Sequence, residues 1–253
     1  MAQALRQAEI LEILRKQGKI TVDALAEKLD VTLQTIRRDL SELADAGKVE
    51  RVHGGAMLPS GTVNIAYEQR RNLNYQGKAG IAAACSQSIP HGCSVFINLG
   101  TTTEAVAREL LAHKDILVVT NNINVANILN ANEDCEVIVT GGALRRSDGG
   151  LIGTLTIDTI ARFKFDYAVI GCSAIDEAGD FLDYDVQEVS VAQRIINQTR
   201  DVYLVADHLK FQRHAPAKIG SLGEISALFT DRAVPRAVED KCIQDNTRVI
   251  VAN

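Results

Sequence analysis

From residue 79 onward the chain alternates between amphipathic helical runs and short stretches that are apolar at every position. GIAAACSQSI, TEAVARELLA, NVANILNA, TIDTIARF and SVAQRIINQT carry apolar residues at helical spacing. Between them stand SVFINL, ILVVT, EVIVTGG, YAVIGC and VYLVAD, with ALFTD and RVIVA as further candidate strands. A strand that is apolar on both faces must be covered on both faces, and a helix between successive strands returns the chain in the same direction. The expected fold of this part is therefore an α/β domain built on a mainly parallel sheet. In such sheets ligands bind at the carboxyl ends of the strands, where the topology switches.

The polar residues collect at those ends. Asn98 and Gly100, Thr101, Thr102 and Thr103 follow one strand, Asn121 the next, and Gly141 and Gly142 another. Ser173 and Asp176 follow YAVIGC, and Lys210 follows VYLVAD. The run VFINLGTTTEAVAREL carries the most chemical information, because a strand ending in Gly100–Thr103 at a helix start presents backbone N–H groups, the positive helix end and short hydroxyls. These suit an anionic group such as phosphate. Lys210 is a candidate point charge for that anion, and Arg145 or Arg146 in GGALRRSDGG a second one. One shared pocket for a small polyhydroxylated anion is expected.

The first 58 residues follow a different pattern. Leu5, Ile10, Leu11, Ile13 and Leu14 suggest a helix that stops at Gly18; Thr21 caps a short second helix with Val22, Leu25, Ala26 and Leu29 inward. After the tight turn Asp30-Val31, Thr32 caps TLQTIRRDLSELADAG, whose Ile36, Leu40 and Leu43 form one buried stripe ending before Gly47. Three helices with a short turn before the third make a helix-turn-helix, and KVERVHGGA after it reads as a β-hairpin wing. With the stripe facing inward, Thr32, Gln34, Thr35, Arg37, Arg38 and Ser41 are the candidate DNA contacts, joined by Arg51 and His53 from the wing. Arginine reads guanine and glutamine reads adenine through paired hydrogen bonds. The competing reading of Arg37 and Arg38 is ion pairing with Asp39, Glu42 or Asp45 on a solvated helix. Residues 59–78 read as a linker running into a helix with Glu68, Arg70 and Arg71, whose arginines are expected to be solvated, with interdomain contact as the alternative.

The net charge of −5 argues at first against a nucleic-acid partner, yet residues 1–58 hold nine basic and nine acidic side chains, so the deficit lies entirely in the rest. At 4% aromatic residues and no tryptophan, the chain is poor in rings for stacking bases in the single-strand manner, and the partner expected from the helix-turn-helix is double-stranded DNA. No stretch suits a membrane span, so a soluble cytoplasmic protein is expected. Five widely spaced cysteines without a C-x-x-C pair read as buried reduced thiols; no metal and no cofactor are expected.

VTLQTIRRDLSEL with its HGGA wing, followed in order by GTTT, TNN, TGG, FDYAVIG and DHLKF, resembles the DeoR family of bacterial transcriptional regulators. The resemblance implies a winged helix-turn-helix on residues 1–58, and on residues 79–253 an effector-binding and oligomerising domain similar in fold to ribose-5-phosphate isomerase. It implies a repressor of carbon-catabolism genes working as a homo-oligomer, dimer or tetramer. SVFINLGTTTEAVAREL, VTNNINVANIL, GGALRRSDGGLIG and FLDYDVQEV resemble the branch that responds to glycerol-3-phosphate, with a sugar phosphate as the alternative effector. An isomerase needs a carboxylate base. The isomerases' strand end resembles G-A-D-x-[IV]-D, whereas this chain reads GCSAID: Asp176 fits the second acid, and Ser173 stands where the first would be. Glu188 remains for part of that role, for orienting ligand hydroxyls, or for an ion pair with Arg194. Phosphate recognition without catalysis is the expectation.

Overall fold

The computed structural model describes residues 3–17, 19–52, 54–57 and 67–252. The chain divides into two compact units between Ile65 and Ala66.

The first unit contains α1 (Gln3–Gln17), β1 (Lys19–Thr21), α2 (Val22–Leu29), α3 (Leu33–Asp45), β2 (Glu50–Val52) and β3 (Gly55–Met57). Both expected caps are formed: Thr21 Oγ1 accepts from the N–H of Ala24 at 3.2 Å, and Thr32 Oγ1 from that of Thr35 at 3.3 Å. Asp30 turns the chain between α2 and α3 in the left-handed region, with φ 50°. At the end of α3, Gly47 (φ 68°) donates to Ala44 O and Lys48 to Leu43 O, a Schellman closure that satisfies the last carbonyls. Ile36, Leu40 and Leu43 pack with Ile10, Leu14, Leu25 and Leu29 in one core. A three-stranded sheet in the order β1-β3-β2 adds a strand through Ile20 that the sequence pattern did not announce. The expected helix stop at Gly18 lies outside the described residues.

The second unit begins with α4 (Tyr67–Asn72) and α5 (Tyr75–Gln87). Residues 67–78 of the expected linker are thus largely helical. β4 (Ser94–Ile97), α6 (Thr101–Glu109), β5 (Ile116–Thr120), α7 (Ile123–Leu129) and β6 (Cys135–Val139) follow, then the two-stranded hairpin β7 (Ala143–Arg145) and β8 (Gly150–Ile152). After α8 (Thr154–Ile160) and β9 (Phe165–Ile170) come β10 (Ala174–Ile175), β11 (Asp180–Asp183), α9 (Val186–Asn197) and β12 (Thr199–Val205). A 3-10 turn at His208–Gln212, β13 (Ala217–Ser221), β14 (Ala227–Thr230), α10 (Arg236–Gln244) and β15 (Arg248–Val251) complete it.

Seven strands pair in the order β15-β14-β12-β9-β4-β5-β6, every pairing parallel. Successive residues feed opposite cores. Val95 and Ile97 of β4 pack with Ile81, Val106 and Leu129 of α5, α6 and α7, while Phe96 between them packs with Ile160, Ile195 and Val238 of α8, α9 and α10. This two-sided burial is why the strands read as continuous apolar runs. From β4 the chain winds outward to β5 and β6, and from β9 the other way to β12, β14 and β15. The topological switch therefore lies between β4 and β9, in the middle of the sheet. A small antiparallel sheet, β10-β11-β13, was not expected from the sequence.

Candidate DNA-binding face and effector cavity

On the first unit, Thr32, Gln34, Thr35, Arg37, Arg38, Ser41 and Arg51 line one concave surface, together with Gln3 and Arg6. His53 lies outside the described residues. The wing is tied to the third helix where Arg51 Nη1 donates to Ser41 Oγ at 2.8 Å. The ion-pair reading of the two arginines fails for Arg37, which is exposed and has no hydrogen-bond or salt-bridge partner among the described residues. Arg38 does meet Glu42 at 3.3 Å, with 78% of its side chain exposed. Asp39 is unavailable to either, because it is buried and taken by Arg6 of α1 at 2.5 and 3.2 Å. That bond raises the Arg6 pKa above its ordinary value. Gln3 and Gln7 of α1 donate to Glu42 at 2.6 and 2.8 Å. The first helix thus braces the inner side of the third and leaves Arg37 turned to solvent.

In the second unit a cavity opens at the switch point. Its wall includes Asn98, Gly100, Thr101, Thr102, Thr103, Ser173, Glu188 and Lys210, all expected from the sequence, and also Arg70, Cys172 and Asp183. Gly100 caps α6 with φ 144° and ψ 151°, a conformation reserved in practice for glycine. The first N–H to close onto the helix is that of Glu104, to Gly100 O at 3.0 Å. The N–H groups of Thr101, Thr102 and Thr103 consequently have no intrahelical partner. Thr103 serves as a brace, its hydroxyl donating to Asn98 O at 2.7 Å and Gly100 O at 2.8 Å. Ser173 Oγ donates to Asp183 Oδ2 at 3.1 Å.

Cations surround this loop. Lys210 has no hydrogen-bond partner for its ammonium among the described residues, and burial, then the neighbouring Arg213, pushes its pKa down to about 8. Lys78 of α5 is buried, donates to the Arg70 carbonyl, and is lowered to about 8 chiefly by burial. Burial likewise lowers Arg213. Arg70, on α4, meets Asp148 at 3.4 Å, but its Nε and that of Arg213 are buried without a partner. These four cations, opposed by the buried Asp207, place Lys210, Lys78 and Arg213 in a field of positive charge that an anion would relieve. Sequence reasoning missed three of them. Arg70 was read as solvated, Lys78 stands in a stretch with no motif around it, and Arg213 lies just beyond DHLKF, of which only Lys210 was singled out. The packing of α4 explains the first. Tyr67, one turn before Arg70, donates to the buried Glu104 at 2.8 Å, and Asn124 adds bonds to both at 3.1 and 3.0 Å, fixing α4 against α6 and α7.

Five of the expected effector residues are elsewhere. Asp176 Oδ1 accepts the N–H groups of Ala178 and Asp180 at 3.0 and 2.9 Å, so this carboxylate shapes the β10–β11 turn and does not line the cavity. Asn121 is fully buried and exchanges hydrogen bonds with Leu151 of the β7–β8 hairpin, which closes over the end of β5. Gly141 and Gly142 let the chain pass α8: Thr156 Oγ1 donates to Gly141 O at 2.8 Å, and a Cβ on Gly142 would collide with that hydroxyl. Arg145 is engaged by Asp148, Asp185 and Glu188 at 2.7, 2.8 and 2.9 Å. Burial works against its charge, but the bonds to Glu188 and Asp148 prevail and raise its pKa. Of the roles open to Glu188, the ion pair is formed, but with Arg145 and not Arg194; burial and the nearby Asp183 push its pKa up to about 7. Of the five cysteines, Cys85, Cys172 and Cys242 are buried, while Cys93 and Cys135 are half-buried; all are free thiols.

A helix-turn-helix face on one unit and a charged small-molecule cavity at the switch point of the other define a ligand-responsive DNA-binding regulator. Residues 6–62 match the DeoR-like helix-turn-helix domain and residues 73–232 the DeoR C terminal sensor domain. The chain belongs to the DeoR family. It is 43% identical over 238 residues, 94% of each chain, to the glycerol-3-phosphate regulon repressor of Escherichia coli. To the protein of the same name from Haemophilus influenzae it is 41% identical over 253 residues, 100% of this chain and 98% of the relative. Ribose 5-phosphate isomerase A from Methanocaldococcus jannaschii superposes on 55% of each chain with a TM-score of 0.41 and 11% identity, too distant to bear on function. No helix among the described residues is long and apolar enough to cross a membrane.

Proposed function

We propose that this protein is a cytoplasmic transcriptional repressor whose operator-bound form is released when a small phosphorylated metabolite, glycerol-3-phosphate, occupies the switch-point cavity. The observation that carries the reading is the coincidence, in one cavity, of the unpaired N–H groups of α6 with Lys210 and Arg70. Helix N–H groups and buried cations together are what a phosphate dianion requires. In the DNA-binding unit, Arg37, Arg38 and Gln34 read base edges, and Thr32, Thr35, Ser41 and Arg51 meet the phosphate backbone. Two such units on a homo-oligomer, dimer or tetramer, span paired half-sites.

The relatives named for the glycerol-3-phosphate regulon favour that effector over sugar phosphates. A binding role is favoured over isomerisation by the fate of the acids. Ser173 replaces one, Asp176 is held in a turn by two N–H donors, and Glu188 is held by Arg145. None of these three positions offers an unengaged base, and the cavity's other acid, Asp183, accepts from Ser173 and the Tyr184 N–H.

Calorimetric titration with glycerol-3-phosphate, ribose-5-phosphate and fructose-1-phosphate, followed by product analysis, tests this. Saturable binding of glycerol-3-phosphate without conversion is expected. Binding of a sugar phosphate alone would change the effector, and turnover of it would make the protein an enzyme.

A further inference from the structure

We infer that the cavity admits a phosphate monoester whose other end carries hydroxyls and rejects one whose other end carries a carboxylate, with Asp183 accepting a ligand hydroxyl. This inference rests on the phosphate reading above. The cavity carries charge of both signs: Lys210, with Arg213 nearby, and Arg70 are cationic, while Asp183 and Glu188 are acidic and close enough for Asp183 to raise Glu188. Arg145 does not neutralise the acidic part, because its single charge is shared among Asp148, Asp185 and Glu188.

Asp183 retains accepting capacity. Its Oδ1 receives the Tyr184 N–H at 2.6 Å and its Oδ2 the Ser173 hydroxyl at 3.1 Å, one donor on each oxygen where two fit. An independent observation points the same way. Asn98, only 4% exposed and lining the same cavity, has a buried side-chain carbonyl oxygen with no hydrogen-bond partner. That oxygen needs a donor. A hydroxyl supplies one; a carboxylate or phosphate oxygen cannot, and a carboxylate beside Asp183 meets like charge besides.

The test compares glycerol-3-phosphate with 3-phosphoglycerate, which differs by a carboxylate in place of a terminal hydroxymethyl group, and with inorganic phosphate, by calorimetry on the full-length protein. Glycerol-3-phosphate is expected to bind at least roughly tenfold more tightly than 3-phosphoglycerate. In Asp183→Asn, which keeps the side-chain size, that ratio should shrink several-fold while inorganic phosphate binds as before. Equal affinities for the two esters in the native protein, or an unchanged ratio in a variant with native circular dichroism, would overturn the inference and leave phosphate recognition standing. Failure of all three compounds to bind would overturn both. The native comparison does not depend on the variant folding.

Discussion

Replacing Arg37 and Arg38 together by alanine should separate DNA recognition from stability. Arg37 has no partner among the described residues, and Arg38 has one exposed i,i+4 contact to Glu42 at 3.3 Å. Such a pair is worth a few tenths of a kcal/mol, and alanine is the best helix former, so the unfolding free energy should move by less than about 0.5 kcal/mol. If each arginine makes one paired contact to a base, the two removals cost about 2–6 kcal/mol of binding, a loss of roughly 30-fold to 10⁴-fold in affinity. Fluorescence anisotropy with a labelled operator duplex, isolated by selection from random sequences, measures the affinity; circular dichroism on heating measures the stability. Asp39→Asn is the informative contrast. Asp39 is buried and holds Arg6, so this change should lower stability and DNA affinity together. An affinity loss under threefold in the double variant, or a loss matched by destabilisation of the fold, would refute the assignment of these side chains to DNA.

Other outcomes follow from the cavity. Lys210→Ala should give a protein that binds operator normally but is not released by glycerol-3-phosphate; unchanged release would remove Lys210 from the site. Gly100→Ala forces a residue with a Cβ to φ 144°, where strain is about 1–3 kcal/mol, and should weaken effector binding more than operator binding, as calorimetry and anisotropy on the same sample would reveal. Effector affinity should fall as pH rises through about 8, because Lys210 and Lys78 are charged below that value and lose their protons above it. A bound dianion raises both values, so binding near pH 8 should take up protons, visible as a dependence of the calorimetric heat on the buffer's ionisation enthalpy. For folding, the two lysines act in the opposite sense. Their folded values lie below the ordinary 10.5, so the unfolded chain holds more protons between about 8 and 10.5. Their contribution to stability therefore rises with pH across that window.

The helical caps at Thr21 and Thr32, the inward stripe of Ile36, Leu40 and Leu43, and the parallel strands were legible because each rests on local chemistry or on a period. The glycine-capped loop at Gly100–Thr103 and its place on the cavity wall were legible for the same reason: the glycine and the strand-to-helix passage are consecutive in the chain. What the sequence did not disclose depends on long-range packing. Arg70 looks like any solvated arginine until Tyr67 anchors its helix on Glu104. Lys78 comes within the field of Lys210 from a segment more than a hundred residues away, a proximity that only the packing of α5 creates. The convergence of every strand end on one rim was overestimated, because the β7–β8 hairpin fills the space beyond β5 and β6 and draws Asn121 and Arg145 into structural bonds. Asp176 was placed at the rim by its position after the YAVIGC strand and by likeness to an isomerase strand end, and the β-turn it closes could not be seen without β10 and β11.

The claim that the cavity controls the DNA-binding unit is tested most directly by titrating glycerol-3-phosphate into the preformed complex of the full-length protein with its labelled operator and following anisotropy. The account predicts that the signal falls to that of free duplex at saturation, and that 3-phosphoglycerate at the same concentration releases much less. An operator complex that persists at effector concentrations shown by calorimetry to saturate the protein would contradict it.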